Sequence, residues 1–190
     1  MPKLVDADAR RRELAEAAWR VICRDGLENA SVRNVAREAG LSAGSLRHMF
    51  GTQAELLVFA MNQVADRVEA RLAALDPTGD PLEAAQRHLV ELLPLDDERR
   101  QENEVWIAFT ARSLVDPLLR ECAARNHDLL RAGCRHWVDA IAGDRVDVDL
   151  EAERLHALID GLAVHAAIRP QVATADRCRE ILLRHLAELG

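Results

Sequence analysis

What the chain lacks narrows its fold before anything else does. Its 190 residues include no tyrosine, its aromatic fraction is 3%, and its 25 basic residues include a single lysine, Lys3. Sheets are built from aromatic and β-branched side chains. Their scarcity beside abundant Ala, Leu, Arg and Glu excludes an extensive β structure and predicts an all-α fold. The four cysteines, Cys23, Cys122, Cys134 and Cys178, contain no CxxC pair and fall within helical patterns. That argues against a disulfide framework and points to buried free thiols in a reducing compartment, with a thiol sensor as the alternative. No apolar run approaches the roughly 20 residues of a membrane span. The opening MPKLVDADARRR is too polar for a signal peptide. The expectation is a cytoplasmic chain with no membrane partner. HExxH, a nucleophile elbow and paired carboxylates at a readable spacing are all missing, so no catalytic residue, metal or cofactor is assigned.

What is present is apolar and unevenly charged. The hydrophobic fraction is 49% and the formal net charge is -7. Residues 1–50 hold nine basic residues against seven acidic ones, whereas the rest hold sixteen against twenty-five. Neutralising phosphates requires local positive charge. A slightly basic first quarter on an acidic remainder therefore fits a nucleic-acid reader carried on a regulatory body.

The stretch SVRNVAREAGLSAGSLRHMFGTQ, residues 31–53, reads as a helix-turn-helix. Ser31 caps a helix with Val32, Val35, Ala36 and Ala39 at helical spacing, and Gly40 provides a sharp turn. Ser42 caps a second helix on which Leu46, Met49 and Phe50 are expected to point inward. Ala43, Gly44, Ser45, Arg47 and His48 are then left facing outward. A helix from about residue 8 to 24 precedes the motif, with Leu14, Ala17, Ala18, Val21 and Ile22 on its buried side and Asp6 or Asp8 near its N-terminus. Three helices make the first domain, residues 1–51.

Residues 52–190 read as a larger helical domain, for about nine helices in all. Thr52 and Glu55 form a capping box ahead of a long helix to about Leu75. Asp80-Pro81 starts another helix, ending near Leu93-Pro94. Further helices are predicted over 96–115, 117–142, 150–168 and 174–189. On the last two, Leu155, Ile159, Leu162, Ile181, His185 and Leu189 lie on amphipathic stripes. Such stripes can pair with a second copy as a four-helix bundle, which is the expected homodimer interface.

The run SVRNVAREAGLSAGSLRHMFGTQAELL is similar to the DNA-binding domain of the tetracycline-repressor (TetR) family over residues 9–57. Arg47 stands where that family usually has Tyr, Met49 where His or Tyr is common, and Gln53 where Lys often meets phosphate. The resemblance implies a double-stranded DNA operator, with the helix from Ser42 to Phe50 in the major groove. Residue 47 and the start of the following helix would lie on phosphates. Chemistry agrees for Arg47, whose guanidinium grips phosphate or guanine with charge-assisted bonds. Arg33 and Arg37 are further phosphate candidates, Arg37 with the alternative of pairing with an acid. His48 is a base or phosphate contact, and Gln53 completes the set with Ser42, Ala43, Gly44 and Ser45.

The segment RLHALIDGLAVHAAIRP resembles the C-terminal part of the branch that includes the betaine regulators. The family likeness implies a small-molecule effector in a pocket of the larger domain. Candidate lining residues are Met61, Trp106, Phe109, Thr110, Asn126, Leu130 and Trp137, with core filling as the alternative for the rings. Two Trp and one Phe spread over two helices do not make a quaternary-ammonium cage, so no effector is named. The function expected is a dimeric, effector-released repressor at a palindromic operator, with the helix after Thr52 as the moving element. Two alternatives remain. One is a helical enzyme using His127, His136, His156, His165 and Asp160. The other is a helical dimer acting by protein contact alone.

Overall fold

The computed structural model describes residues 7–190, without the side chains of residues 7–9, 11, 28 and 48. Among the described residues there are nine α-helices and no strand. They are α1 (Ala7–Asp25), α2 (Val32–Glu38), α3 (Ala43–Met49), α4 (Gln53–Ala73), α5 (Pro81–Leu89), α6 (Asp97–Ser113), α7 (Pro117–Ala142), α8 (Val148–Ile168) and α9 (Ala175–Leu189). The caps form where the residue types demand them. The Ser31 hydroxyl accepts from the Asn34 amide, Asp80 from Glu83, Asp147 from Leu150 and Thr174 from Arg177. The acidic residues expected beside the N-terminus of α1, Asp6 and the Asp8 side chain, lie outside the described residues.

Three helix ends differ from expectation. The long α4 stops at Ala73 rather than Leu75. The fifth helix gives way to a 3-10 turn over Val90–Leu92, because Pro94 forces Leu93 into an extended backbone (φ -96°, ψ 148°) and the last turn tightens. The sixth ends at Ser113, leaving Leu114 and Val115 exposed ahead of Pro117.

The chain forms two compact units: Met1–Ala65 with Val105–Ala123, and Asp66–Glu104 with Ala124–Gly190. Thus α4, α6 and α7 each give a stretch to both. In the first unit Leu14, Ala18 and Val21 of α1 meet Val35 and Ala36 of α2, Leu46 of α3 and Leu56, Leu57 and Ala60 of α4. In the second, Leu89, Cys134, Val138, Leu155, Ile159, Cys178, Leu182 and Leu186 share a core. Burying one such leucine contributes about 1.5–3 kcal/mol, so each core outweighs any single surface contact.

One expectation about direction is corrected. Met49 is 38% exposed rather than inward, because Phe50, one residue on, fills the place beside Leu46. Leu155, Ile159, Leu162 and Leu189 are covered by neighbours within the single chain, which leaves them little surface for a partner. A stripe reveals that a face is covered, not what covers it.

Candidate nucleic-acid interface

The helix-turn-helix is assembled from short-range bonds that its residue types make inevitable. Gly40 takes φ 67°, a left-handed conformation that costs other L residues free energy. The Leu41 amide then closes the turn onto the Ala36 carbonyl at 2.8 Å. The Ser42 hydroxyl accepts from the Ser45 amide at 3.1 Å and lies 2.9 Å from the Ser45 hydroxyl. With Leu46 and Phe50 buried, α3 is rooted by its inner face.

Its outer face is open. Arg33, Arg37, Ser42, Gly44, Ser45 and Arg47 are exposed, Ala43 and Gln53 are half-buried, and the His48 side chain lies outside the described residues. Among the described residues Arg33 and Arg47 join no ion pair, and Arg37 makes none within 4 Å, although its charge helps to hold the Asp25 carboxyl down. Two other arginines are held back. Arg20 Nε and Arg24 Nη1 of α1 each donate to a different oxygen of Glu38, the last residue of α2, at 2.9 Å. Arg24 also grips Asp25 through two nitrogens. Hydrogen bonds from Arg20 and Arg24 hold the Glu38 carboxyl below its usual range, and Arg24 does the same to Asp25. This clamp escaped sequence reasoning: the four-residue spacing of Arg20 and Arg24 was readable, but Glu38 joins them only once α2 crosses α1.

At the start of α4 the Thr52 hydroxyl accepts from the Glu55 amide at 3.1 Å, as a capping box requires. The Glu55 carboxylate reaches one residue further back than expected and accepts from the Gly51 amide at 2.8 Å. Two amides that could have met a phosphate are therefore occupied, which leaves the positive charge of this face to arginines.

The residues expected to line an effector pocket do not gather in one unit. Met61 and Phe109 are buried in the first core with Trp106 packed on it. They fill that core. Thr110 is half-buried, and its carbonyl accepts from the Ser113 hydroxyl at 2.7 Å. Asn126, Leu130 and Trp137 belong to the second unit, where Trp137 is flanked by the rings of His88 and His136, each with centroids 4.8 Å away. Of the remaining histidines, His156 is buried against His127 and 3.5 Å from Asp160, and His165 is exposed. Burial pushes the Cys134 thiol up to about 12 and raises Cys178 as well, which keeps both protonated and unreactive. No helix among the described residues is long and apolar enough to cross a membrane.

Known proteins agree with this geometry. Residues 14–58 match the domain described as bacterial regulatory proteins of the tetR family, and residues 81–190 match the C-terminal domain of BetI-type transcriptional repressors. The HTH-type transcriptional regulator PksA of Bacillus subtilis is 41% identical over 197 residues, covering 100% of this chain and 94% of that one. A transcriptional regulator from Rhodococcus sp. Rha1 superimposes with a TM-score of 0.86 at 33% identity, over 94% of this chain and 95% of its own. A transcriptional regulator from Saccharomonospora viridis, solved in complex with choline, gives 0.81 at 26% identity, over 95% and 96%. These relatives regulate transcription and are not enzymes, which removes the enzyme reading. An N-terminal helix-turn-helix with an open arginine face, an all-helical remainder and relatives spanning nearly the whole length lead to one conclusion: the chain belongs to the TetR family of bacterial transcriptional regulators, with a C-terminal half of the BetI type.

Proposed function

We propose that residues 1–51 read a palindromic operator in the major groove and that residues 52–190 pair the chain with a second copy and hold the effector. The single observation carrying the DNA reading is that Arg33 and Arg37 of α2 and Arg47 of the Ser42-capped recognition helix are exposed and, among the described residues, join no ion pair within 4 Å. Arg47 takes the phosphate or guanine grip that Tyr and Lys share in other members. Gly44 and Ser45 approach base edges, and Ala43 and Gln53 flank them. His48 is retained as a contact on its position in α3 alone.

Pairing is proposed through the outward side of α8, where Leu150, Ala157, Gly161 and Ile168 fall within about 40° of one another at 100° per residue. Leu150 and Ile168 are 57% and 68% exposed, and Val172 beyond the helix is 60% exposed. Ile181 and His185 of α9 are half-buried, and His185 feels the charges of Arg154 and Glu151 on α8. For the effector, the ring cluster of Trp137, His88 and His136 with Asn126 and Leu130 is the favoured place, because it sets an apolar surface beside polar handles. The Saccharomonospora regulator's choline supports an effector of small-molecule size in this class of fold. Such a regulator works beside the chromosome, which places it in the bacterial cytoplasm.

Selection of duplexes from a random library tests the reading. The expected product is an inverted repeat whose half-sites are centred about 34–36 Å apart. Selection of a single unrepeated site would remove the dimer from the mechanism.

A further inference from the structure

The first motif helix, α2, has seven residues, too few to hold a helical conformation alone, so its surroundings decide where it sits. On its inner side Val35 and Ala36 are buried in the first core. Apolar burial is non-directional, and side chains this small leave the angle at which α2 crosses α1 open. Polar bonds at both ends of α2 close it. In its first turn Asn34 Nδ2 donates to the Asn29 carbonyl at 2.9 Å, and Asn29 Nδ2 donates to the Asp25 carbonyl at the end of α1 at 2.6 Å. At its last residue the Glu38 carboxylate accepts from Arg20 Nε with one oxygen and from Arg24 Nη1 with the other, each at 2.9 Å. The Glu38 side chain keeps 21% exposure, against 49% and 54% for the two arginines.

Other ion pairs do not share this placement. The fork between Arg71 and Glu102, with contacts of 2.8 and 2.5 Å, belongs to the second unit. Arg24 also holds Asp25, but both lie on α1, so that pair joins no two helices. Glu38 bridges α1 and α2, and it stands two residues before Gly40, where the chain turns into α3. The Leu41 amide fastens that turn to the Ala36 carbonyl at 2.8 Å, so α3 follows the setting of α2. At about 1.5 Å per residue α2 is about 10 Å long, and a rotation of about 10° about its first turn displaces its last residue by roughly 2 Å. Hydrogen bonds to base edges tolerate about 0.5 Å.

We propose that Glu38 is a positioning residue for operator recognition: by holding Arg20 and Arg24 together it fixes the crossing of α2 on α1 and, through the Gly40 turn, the presentation of α3. The inference rests on the DNA reading above and adds to it an acid on which specificity depends. Both Glu38 oxygens are taken by arginines, so the residue acts through the helices and meets neither base nor phosphate. Its role can be read from a sign. A carboxylate in a DNA-reading domain repels phosphates, so removing one that only subtracts charge strengthens binding to every duplex. Removing one that sets the angle of the recognition helix weakens binding to the selected duplex in spite of the gained charge.

Three variants of the full chain separate the two roles. Glu38→Gln removes the charge and weakens both bonds. Glu38→Asp keeps the charge but draws the carboxylate back by one methylene, so that it no longer spans both arginines; it also serves if the Gln variant does not fold. Asp25→Asn makes the same change of net charge as Glu38→Gln and leaves the α1–α2 bridge intact. Anisotropy gives the affinity of each for a duplex selected by the wild type and for an unrelated duplex, and amide hydrogen exchange at Leu41 is read in the free protein. Asp25→Asn is expected to strengthen both duplexes alike, with Leu41 exchange as in the wild type. Glu38→Gln should strengthen the unrelated duplex equally yet bind the selected one about fivefold more weakly than the wild type does. Glu38→Asp should show that weakening with the unrelated duplex unchanged, and in both Glu38 variants Leu41 should exchange faster. The proposal is overturned if Glu38→Gln strengthens both duplexes as Asp25→Asn does, if Glu38→Asp binds the selected duplex as the wild type does, or if Leu41 exchange is unaltered in both. A wild type that selects no duplex overturns the DNA reading itself, and this failure is told apart because Leu41 exchange, read without DNA, still reports whether the clamp holds the turn.

Discussion

At the scale of single residues, two positions root the helix-turn-helix and one cysteine reports on the second core. Leu46 is fully buried at the centre of the first core, so Leu46→Ala should cost about 2–5 kcal/mol in urea unfolding. A loss below about 1 kcal/mol would mean that α3 is not rooted there. Gly40 has open space around its Cβ position, so its cost on mutation is backbone strain alone. Gly40→Ala should destabilise by about 1–2 kcal/mol and rescue by Gly40→Asn should be partial. Cys134 should stay unmodified by iodoacetamide in the native protein and react fully in denaturant; rapid native alkylation would contradict its burial. The root of α3 was legible because Leu46 and Phe50 sit at helical spacing behind a serine cap. Met49 was not, since spacing near a helix end admits two neighbours and only packing chooses between them.

At the scale of elements, capping serines and ion clamps set the angles between short helices. Ser42 organises α3 through the Ser45 amide and hydroxyl, so Ser42→Ala should lower stability by about 1 kcal/mol, whereas Ser42→Asp should largely keep it. Equal losses in both variants would mean the cap bond is idle. Caps were readable from sequence because they depend on residues three apart. The Arg20–Glu38–Arg24 clamp and the Arg71–Glu102 fork were not, because their partners lie 14 to 31 positions apart and meet only after helices cross. The same limit explains α8 and α9. Their periodicity marked Leu155, Ile159 and Leu162 as covered, and a helix's own neighbours cover a stripe as readily as a second chain does.

At the scale of the whole molecule, charge and titration divide along the chain. Burial, ahead of the charges around them, holds His156 and His185 below the ordinary histidine value. From α7, His127 and Arg131 face His156, and from α8 Asp160 and Glu153 do so. The unfolded chain takes up protons near pH 6.5 that the folded histidines refuse, so stability is present above that pH and is lost as pH falls below it. The loss is at most about 1.4 kcal/mol per pH unit for each proton. Asp160, raised by burial, acts with the opposite sign. The thermal midpoint should therefore fall between pH 6.5 and 5.5, and His156→Gln should flatten that fall; an unchanged slope would show that His156 is not its source. The grip on DNA is proposed to come from the exposed arginines of residues 31–53, with Arg47 the main cation. An anisotropy titration of wild type and Arg47→Ala on the DNA upstream of its own gene, repeated across salt concentrations, tests it most directly. Sequence-dependent, salt-sensitive binding by the wild type is expected. Arg47→Ala should weaken it about tenfold or more with a salt slope smaller by about one and unchanged helicity. Binding without sequence or salt dependence, or an Arg47→Ala protein that binds as wild type does, would contradict it.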